Sequence, residues 1–128
     1  VSVLEELQPT RQIPGEPRRR WFASDDLDLI VWFRDDDTPL AFQLCYDKRG
    51  YERAITWKPD RGFRHEAVDN GERLGASHKA TPILVADGAF DAAFVSRVFA
   101  DASARLPASV TAFVADTIRT HPNYAAQD

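Results

Sequence analysis

Arg18 and Arg20 stand two residues apart, just ahead of Phe22, in a chain that also carries Asp28, Trp32, Gln43 and Thr56 on strand-like segments. Side chains at i and i+2 of a strand share one face. Two guanidinium forks on one face suit a carboxylate or phosphate, which each can grip bidentately. Trp32 and Phe22 would supply a stacking floor, and Gln43 and Thr56 orienting hydrogen bonds. The chemistry implied is recognition of a small anionic or planar molecule. A plainer reading pairs Arg20 with Asp28 and covers Trp32 with the segment before Pro17 or with a second copy of the chain.

The remaining reactive residues offer less. Cys45 would need a base within hydrogen-bond reach to act as a nucleophile. His65 is the nearest candidate, but a whole strand separates them, which puts their backbones roughly 9–10 Å apart. A buried structural thiol is the better reading. His65-Glu66-Ala67-Val68-Asp69 lacks the second histidine of a zinc-protease helix, and His78 and His121 have no ligand spacing. Asp35-Asp36-Asp37 lacks the spaced acids of a calcium loop and reads as a solvated hairpin tip. No GxxxxGK[ST] or GxGxxG motif occurs, so no catalytic residue, metal or cofactor is expected.

These side chains must be positioned by the stretch from Arg18 to Val68, where segments of alternating polarity are separated by turn residues. Five antiparallel strands are predicted: Arg18–Phe22, Leu27–Arg34, Pro39–Asp47, Tyr51–Lys58 and Phe63–Val68. A one-residue slip would turn every side chain to the wrong face, so register can be argued. Setting Phe33 opposite Leu40 brings Val31 to Phe42 and Leu29 to Leu44. Phe42 then meets Trp57, Leu44 meets Ile55 and Tyr46 meets Arg53. One face becomes Leu27, Leu29, Val31, Phe33, Leu40, Phe42, Leu44, Tyr46, Ile55 and Trp57, which must be covered. The second face carries Asp28, Ile30, Trp32, Arg34, Ala41, Gln43, Cys45, Ala54, Thr56 and Lys58. If Trp21 points to the core beside Leu29, then Arg18, Arg20 and Phe22 join that second face.

Upstream, Val1–Leu7 could form a short helix with Val3, Leu4 and Leu7 inward. The prolines to Pro17 predict an extended arm on the surface. Downstream, Asn70–Thr81 is a loop, mobile or functional, and Pro82–Ala86 a sixth strand. A helix is predicted over Phe90–Arg105, with Phe90, Phe94, Val95, Val98, Phe99 and Ala102 on one stripe. Another runs from Pro107 to Arg119, with Val110, Phe113, Val114, Thr117 and Ile118 inward, and Pro122 stops it. Both should cover the large apolar face.

The chain of 128 residues fits one domain, residues 1–128, with 1–17 as the arm. Its net charge of −4 argues against general nucleic-acid binding. A single cysteine excludes an internal disulfide and suits a reducing compartment, and no apolar run is long enough for a membrane span. A cytoplasmic protein is expected. The N-terminal valine suggests that the chain starts inside a longer one or after processing.

The segments Arg18-Arg19-Arg20-Trp21-Phe22, Asp28-Leu29-Ile30-Val31-Trp32, Phe42-Gln43-Leu44-Cys45-Tyr46-Asp47 and Glu52-Arg53-Ala54-Ile55-Thr56-Trp57 resemble a family of small, uncharacterised bacterial proteins. The likeness covers the meander from Arg18 to Trp57 and implies a stand-alone bacterial domain, with no catalytic residues to carry over. The expectation is an α+β fold: an antiparallel meander of five or six strands with two C-terminal helices on one face. The leading function is a non-enzymatic binding or interaction module using the face around Trp32, with a small anionic ligand or a second copy of the chain as occupant. The alternative is a small enzyme acting on an anionic molecule there.

Overall fold

The computed structural model describes residues 3–48, 50–69, 83–86 and 90–125. The strands are β1 (Glu5–Leu7), β2 (Arg19–Ala23), β3 (Asp28–Phe33), β4 (Pro39–Tyr46), β5 (Arg53–Lys58), β6 (Gly62–Asp69) and β7 (Ile83–Ala86). They form one seven-stranded antiparallel meander in chain order. Helices α1 (Ala92–Asp101), α2 (Ala108–Arg119) and the short α3 (Pro122–Ala125) follow. The fold is therefore α+β, as the alternation of the meander implies. The predicted loop Asn70–Thr81, with His78, lies outside the described residues.

The register of the central strands matches the polarity pattern. Leu29 faces Leu44, Val31 faces Phe42, Phe42 faces Trp57, Leu44 faces Ile55 and Tyr46 faces Arg53. An irregularity between Trp32 and Phe33 sets Phe33 opposite Pro39, one residue short of the expected Leu40. The hairpin beyond it closes on itself. Arg34 N–H donates to Thr38 O at 2.8 Å, and Asp37 takes the left-handed φ of 68° that aspartate tolerates better than most residues. Both the hydroxyl and the N–H of Thr38 donate to Asp36. Those bonds hold the Asp36 carboxyl below its ordinary range, the hydroxyl being the larger cause.

Two departures from expectation concern the ends of the sheet. The N-terminal segment is a strand, Glu5–Leu7, and among its described residues Leu4 is fully buried while Leu7 is 46% exposed. Leu4 N–H donates to Ala102 O at 2.9 Å, tying the start of the chain to the end of α1. The second departure is the phase of β2. Phe22 pairs with Leu29 and is buried, while Trp21 pairs with Ile30. Phe22 and Arg20 therefore belong to the covered face, and Arg19 and Trp21 to the open one.

The covered face packs Phe22, Leu29, Val31, Phe33, Phe42, Leu44, Tyr46 and Ile55 against Val95, Phe99, Val110, Val114 and Ile118 of the helices. Each fully buried apolar side chain of this size contributes about 1.5–3 kcal/mol. Helix α1 starts where the Asp91 side chain accepts the Phe94 N–H at 3.1 Å, and its buried residues are Ala92, Val95 and Phe99. Phe94, expected inside, is 40% exposed. Phe113 of α2 closes the far side, edge-on to Phe42 and Trp57 with ring centroids 5.9 Å away in both cases.

His121, between α2 and α3, lies edge-on to Phe63 and Phe90 at 4.7 and 4.9 Å, and its Nδ1 accepts the Asn123 N–H at 3.0 Å. Burial, and then the neighbouring His65, lower its pKa. The fold thus prefers the neutral ring, whereas the unfolded chain takes up a proton near the ordinary value of 6.5. Stability contributed by neutral His121 is present above that pH and declines as pH falls below it. Thermal melts should show a smaller loss of Tm between pH 7.5 and 5.5 for His121→Asn than for the parent. Equal losses would remove His121 as a cause.

Candidate functional site

On the open face, strand pairing lays side chains out in three rows. The first row is Glu5, Ala23, Asp28, Cys45, Ala54 and Glu66. The middle row is Leu7, Trp21, Ile30, Gln43, Thr56 and Arg64. The third begins with Arg19, Trp32 and Ala41 and continues to Lys58 and Gly62. Carboxylates thus gather along one margin, cations along the other, and aromatic, aliphatic and amide groups between them.

A cleft of about 600 Å³ opens at the cationic side. Its floor is Trp32, Gln43 and Thr56, and Ile13 and Glu16 of the N-terminal arm form one wall. Four cationic side chains, Arg19, Lys58, Arg61 and Arg64, line it against the two carboxylates Glu16 and Glu66. That local excess of positive charge contrasts with the chain's net charge of −4. Lys58 Nζ sits 5.6 Å from the centroid of the Trp32 ring, within cation–π range. Arg64 is loosely matched with Glu66 at 3.9 Å and stays 68% exposed.

The arm is clasped to this face by one glutamine. Gln12 Nε2 donates to Arg19 O at 2.8 Å, and Arg19 N–H donates back to Gln12 Oε1 at 2.9 Å, so the side-chain amide acts as a short piece of strand. Arg19 Nε donates to Arg11 O at 2.8 Å. These bonds satisfy backbone groups of β2 where β1 has already ended. They also hold Ile13 and Glu16 beside the cleft.

Two side-chain atoms of the middle row, Trp21 Nε1 and Thr56 Oγ1, are buried without a hydrogen-bond partner among the described residues. Leaving such a group unsatisfied costs about 1–3 kcal/mol. Natural proteins seldom carry that cost without a reason. Thr56 lies in the cleft, directly between Gln43 and Arg64 in its row.

Of the residues singled out in the sequence, Trp32, Gln43 and Thr56 meet in the cleft. Asp28 lies on the same face in the outer row, and Lys48 Nζ reaches its carboxylate at 3.0 Å. Nearby Glu52 has its pKa raised, by burial first and then by Asp28. Arg18, Arg20 and Phe22 are on the other face. Arg18 pairs with Asp37 and stacks over Phe33 at 5.0 Å. Arg20 grips Glu6 through Nε and Nη2, at 2.8 and 2.6 Å, and its partner is not Asp28. The cations of the cleft are those that sequence reasoning passed over. A signal for Lys58 was its place on the open face; Arg61 and Arg64, from the turn and the next strand, gave none until β5 and β6 were paired.

Cys45 and His65 occupy opposite faces, because Cys45 pairs with Ala54 and His65 with Ile55. Burial, reinforced by the charges of Glu52 and Asp28, pushes the Cys45 thiol up to about 12. A thiol that stays protonated at neutral pH is a poor nucleophile. His65 is instead engaged with the Tyr46 hydroxyl, 2.5 Å from its Nε2. No group of three or more histidine, cysteine or acidic residues suited to a metal ion occurs among the described residues. None of their helices is long and apolar enough to cross a membrane. No family model, curated protein or solved structure matches this chain.

Proposed function

We propose that this protein is a non-enzymatic binding module that captures a small anionic molecule in the cleft around Trp32. The observation that carries this reading is the charge of the cleft, where Arg19, Lys58, Arg61 and Arg64 outnumber Glu16 and Glu66. An anion brings acceptors for those donors, and each charge-assisted hydrogen bond is worth roughly 1.5–3 kcal/mol. A ligand that binds only the folded chain raises Tm by mass action. Phosphate esters, carboxylates and nucleotides should therefore be screened by thermal shift. At least one is expected to raise Tm, and Lys58→Ala and Arg61→Ala should each shrink that shift. Arg20→Ala should leave it intact, since Arg20 faces away. The absence of a shift with any anion would end this reading. Turnover of a bound anion would favour the enzyme alternative.

A second occupant is supported by the layout of charge. Glu5, Asp28 and Glu66 mark one outer row, and Arg19 and Lys58 the other. A two-fold axis along the middle row would set the acidic row of one copy over the basic row of another. Leu7 and Ile13, 46% and 38% exposed, would be covered in the same step. Light scattering at micromolar concentration tests this, and a monomer leaves the face to the ligand.

A further inference from the structure

Trp32 stands between two clefts of the open face. The second, of about 740 Å³, runs past Leu40 and Ala41, and four residues line both: Glu16, Trp32, Lys58 and Arg61. Resting on the anion-binding reading above, we infer that the face takes a single two-part ligand, a planar heteroaromatic ring carrying an anionic group. The ring lies against Trp32 with its edge toward Gln43 and Thr56. The anion lies where the two clefts meet, at Lys58 and Arg61.

Three observations assign the parts. Lys58 and Arg61 are the cations common to both clefts and outnumber the one carboxylate they share, Glu16, so an anion held by the pair sits at the junction. The Trp32 ring is half-buried, and the group seated over it at 5.6 Å is the Lys58 ammonium. An anion that draws Lys58 toward itself uncovers that ring for a flat partner, and aromatic surfaces stack favourably. Finally, the ring's edge meets the Gln43 amide, able both to donate and to accept. A hydrocarbon ring would offer that amide no partner, whereas ring nitrogens or exocyclic amino and carbonyl groups match it. A cleft of about 600 Å³ also exceeds what a bare phosphate or acetate fills, and lies in the range of nucleotide-sized ligands.

The test separates ring from anion with two series of probes, measured by calorimetry. AMP is compared with adenosine and inorganic phosphate, and nicotinate with nicotinamide and acetate. In at least one series the two-part probe should bind about tenfold or more tightly than either of its parts. Lys58→Ala should weaken it by roughly ten- to a hundredfold, toward the affinity of the uncharged ring. Trp32→Leu should bring it down toward the affinity of the bare anion. If Trp32→Leu does not fold, Gln43→Leu should by itself narrow the gap between the two-part probe and its anion. Should phosphate or acetate bind as tightly as AMP or nicotinate, the ring is not recognised; this inference falls and anion capture stands. Should adenosine or nicotinamide bind as tightly, the anion is not read and both readings fall. Absence of binding in both series also overturns this inference, and the broader anion screen then decides the general reading alone.

Discussion

Phe99→Ala is expected to cost about 3–5 kcal/mol of stability, a large share of the total for a domain of this size. The side chain is fully buried, on the same helix face as Ala92 and Val95. It belongs to the cluster in which α1 and α2 meet Phe42 and Leu44 of the sheet. Truncation loses the transfer free energy of the ring and leaves a cavity that the sheet cannot collapse to fill. Phe94, on the same helix, is 40% exposed and borders a small surface cleft with Tyr46 and Val98. Its replacement by alanine should cost only roughly 1–2 kcal/mol. Urea melts of the two variants measure the contrast, with equal m-values showing that stability alone has changed. Equal losses for the two would mean that α1 is rotated on the sheet. If Phe99→Ala is unfolded outright, Phe99→Leu supplies a measurable loss for the same comparison.

Why sequence reasoning placed Phe94 inside, yet set β3 to β5 in register, follows from how much each pattern constrains. In β4 the large apolar residues Phe42, Leu44 and Tyr46 alternate with smaller or polar ones. In β3 Asp28 and the following Arg34 bracket the apolar run on one face, so a slip would bury Gln43, Asp28 or Arg34. Only one phase survives. In β2 the adjacent pair Trp21-Phe22 offers a large aromatic to either face, so alternation alone leaves the phase open. Leu29 decides it by facing Phe22, and Arg20 reaches the edge, where β1 supplies Glu6. That partner lies in a segment of three residues whose pairing could not be read from its pattern. The cleft inherits the same limit. Trp32, Gln43 and Thr56 were legible because they sit on well-phased strands. The surrounding cations were not, because Arg61 comes from a turn and Arg19 depends on the phase of β2. In α1, Phe94 and Val95 are neighbours, one turn-third apart, and a broad stripe admits both. The actual contact line follows Ala92, Val95 and Phe99.

Arg20→Ala should lower stability by roughly 1–3 kcal/mol, between the values typical of exposed and of buried ion pairs. The guanidinium is bound through two nitrogens to Glu6 and lies 5.3 and 5.7 Å from the ring centroids of Phe22 and Phe33. Both partners are more than half-shielded, with 30% and 23% of their side chains exposed. The pair therefore fastens β1 to β2 and caps the aromatic edge of the core. Arg20, through its hydrogen bond above all, lowers the Glu6 pKa. A depressed carboxylate stabilises the fold at pH values above its ordinary 4.5 and loses that contribution as pH falls through the folded value. The difference in Tm between the parent and Arg20→Ala should accordingly be large at pH 7 and shrink below about pH 4.5. Residual packing of the arginine stem on Phe22 and Phe33 would keep it from vanishing. A difference that does not depend on pH would assign the whole effect to packing. Because Arg20 lies on the opposite face of the sheet from Trp32, the same variant should bind anions as the parent does. A loss of binding together with stability would return Arg20 to the site and place the anion on the covered side of the sheet.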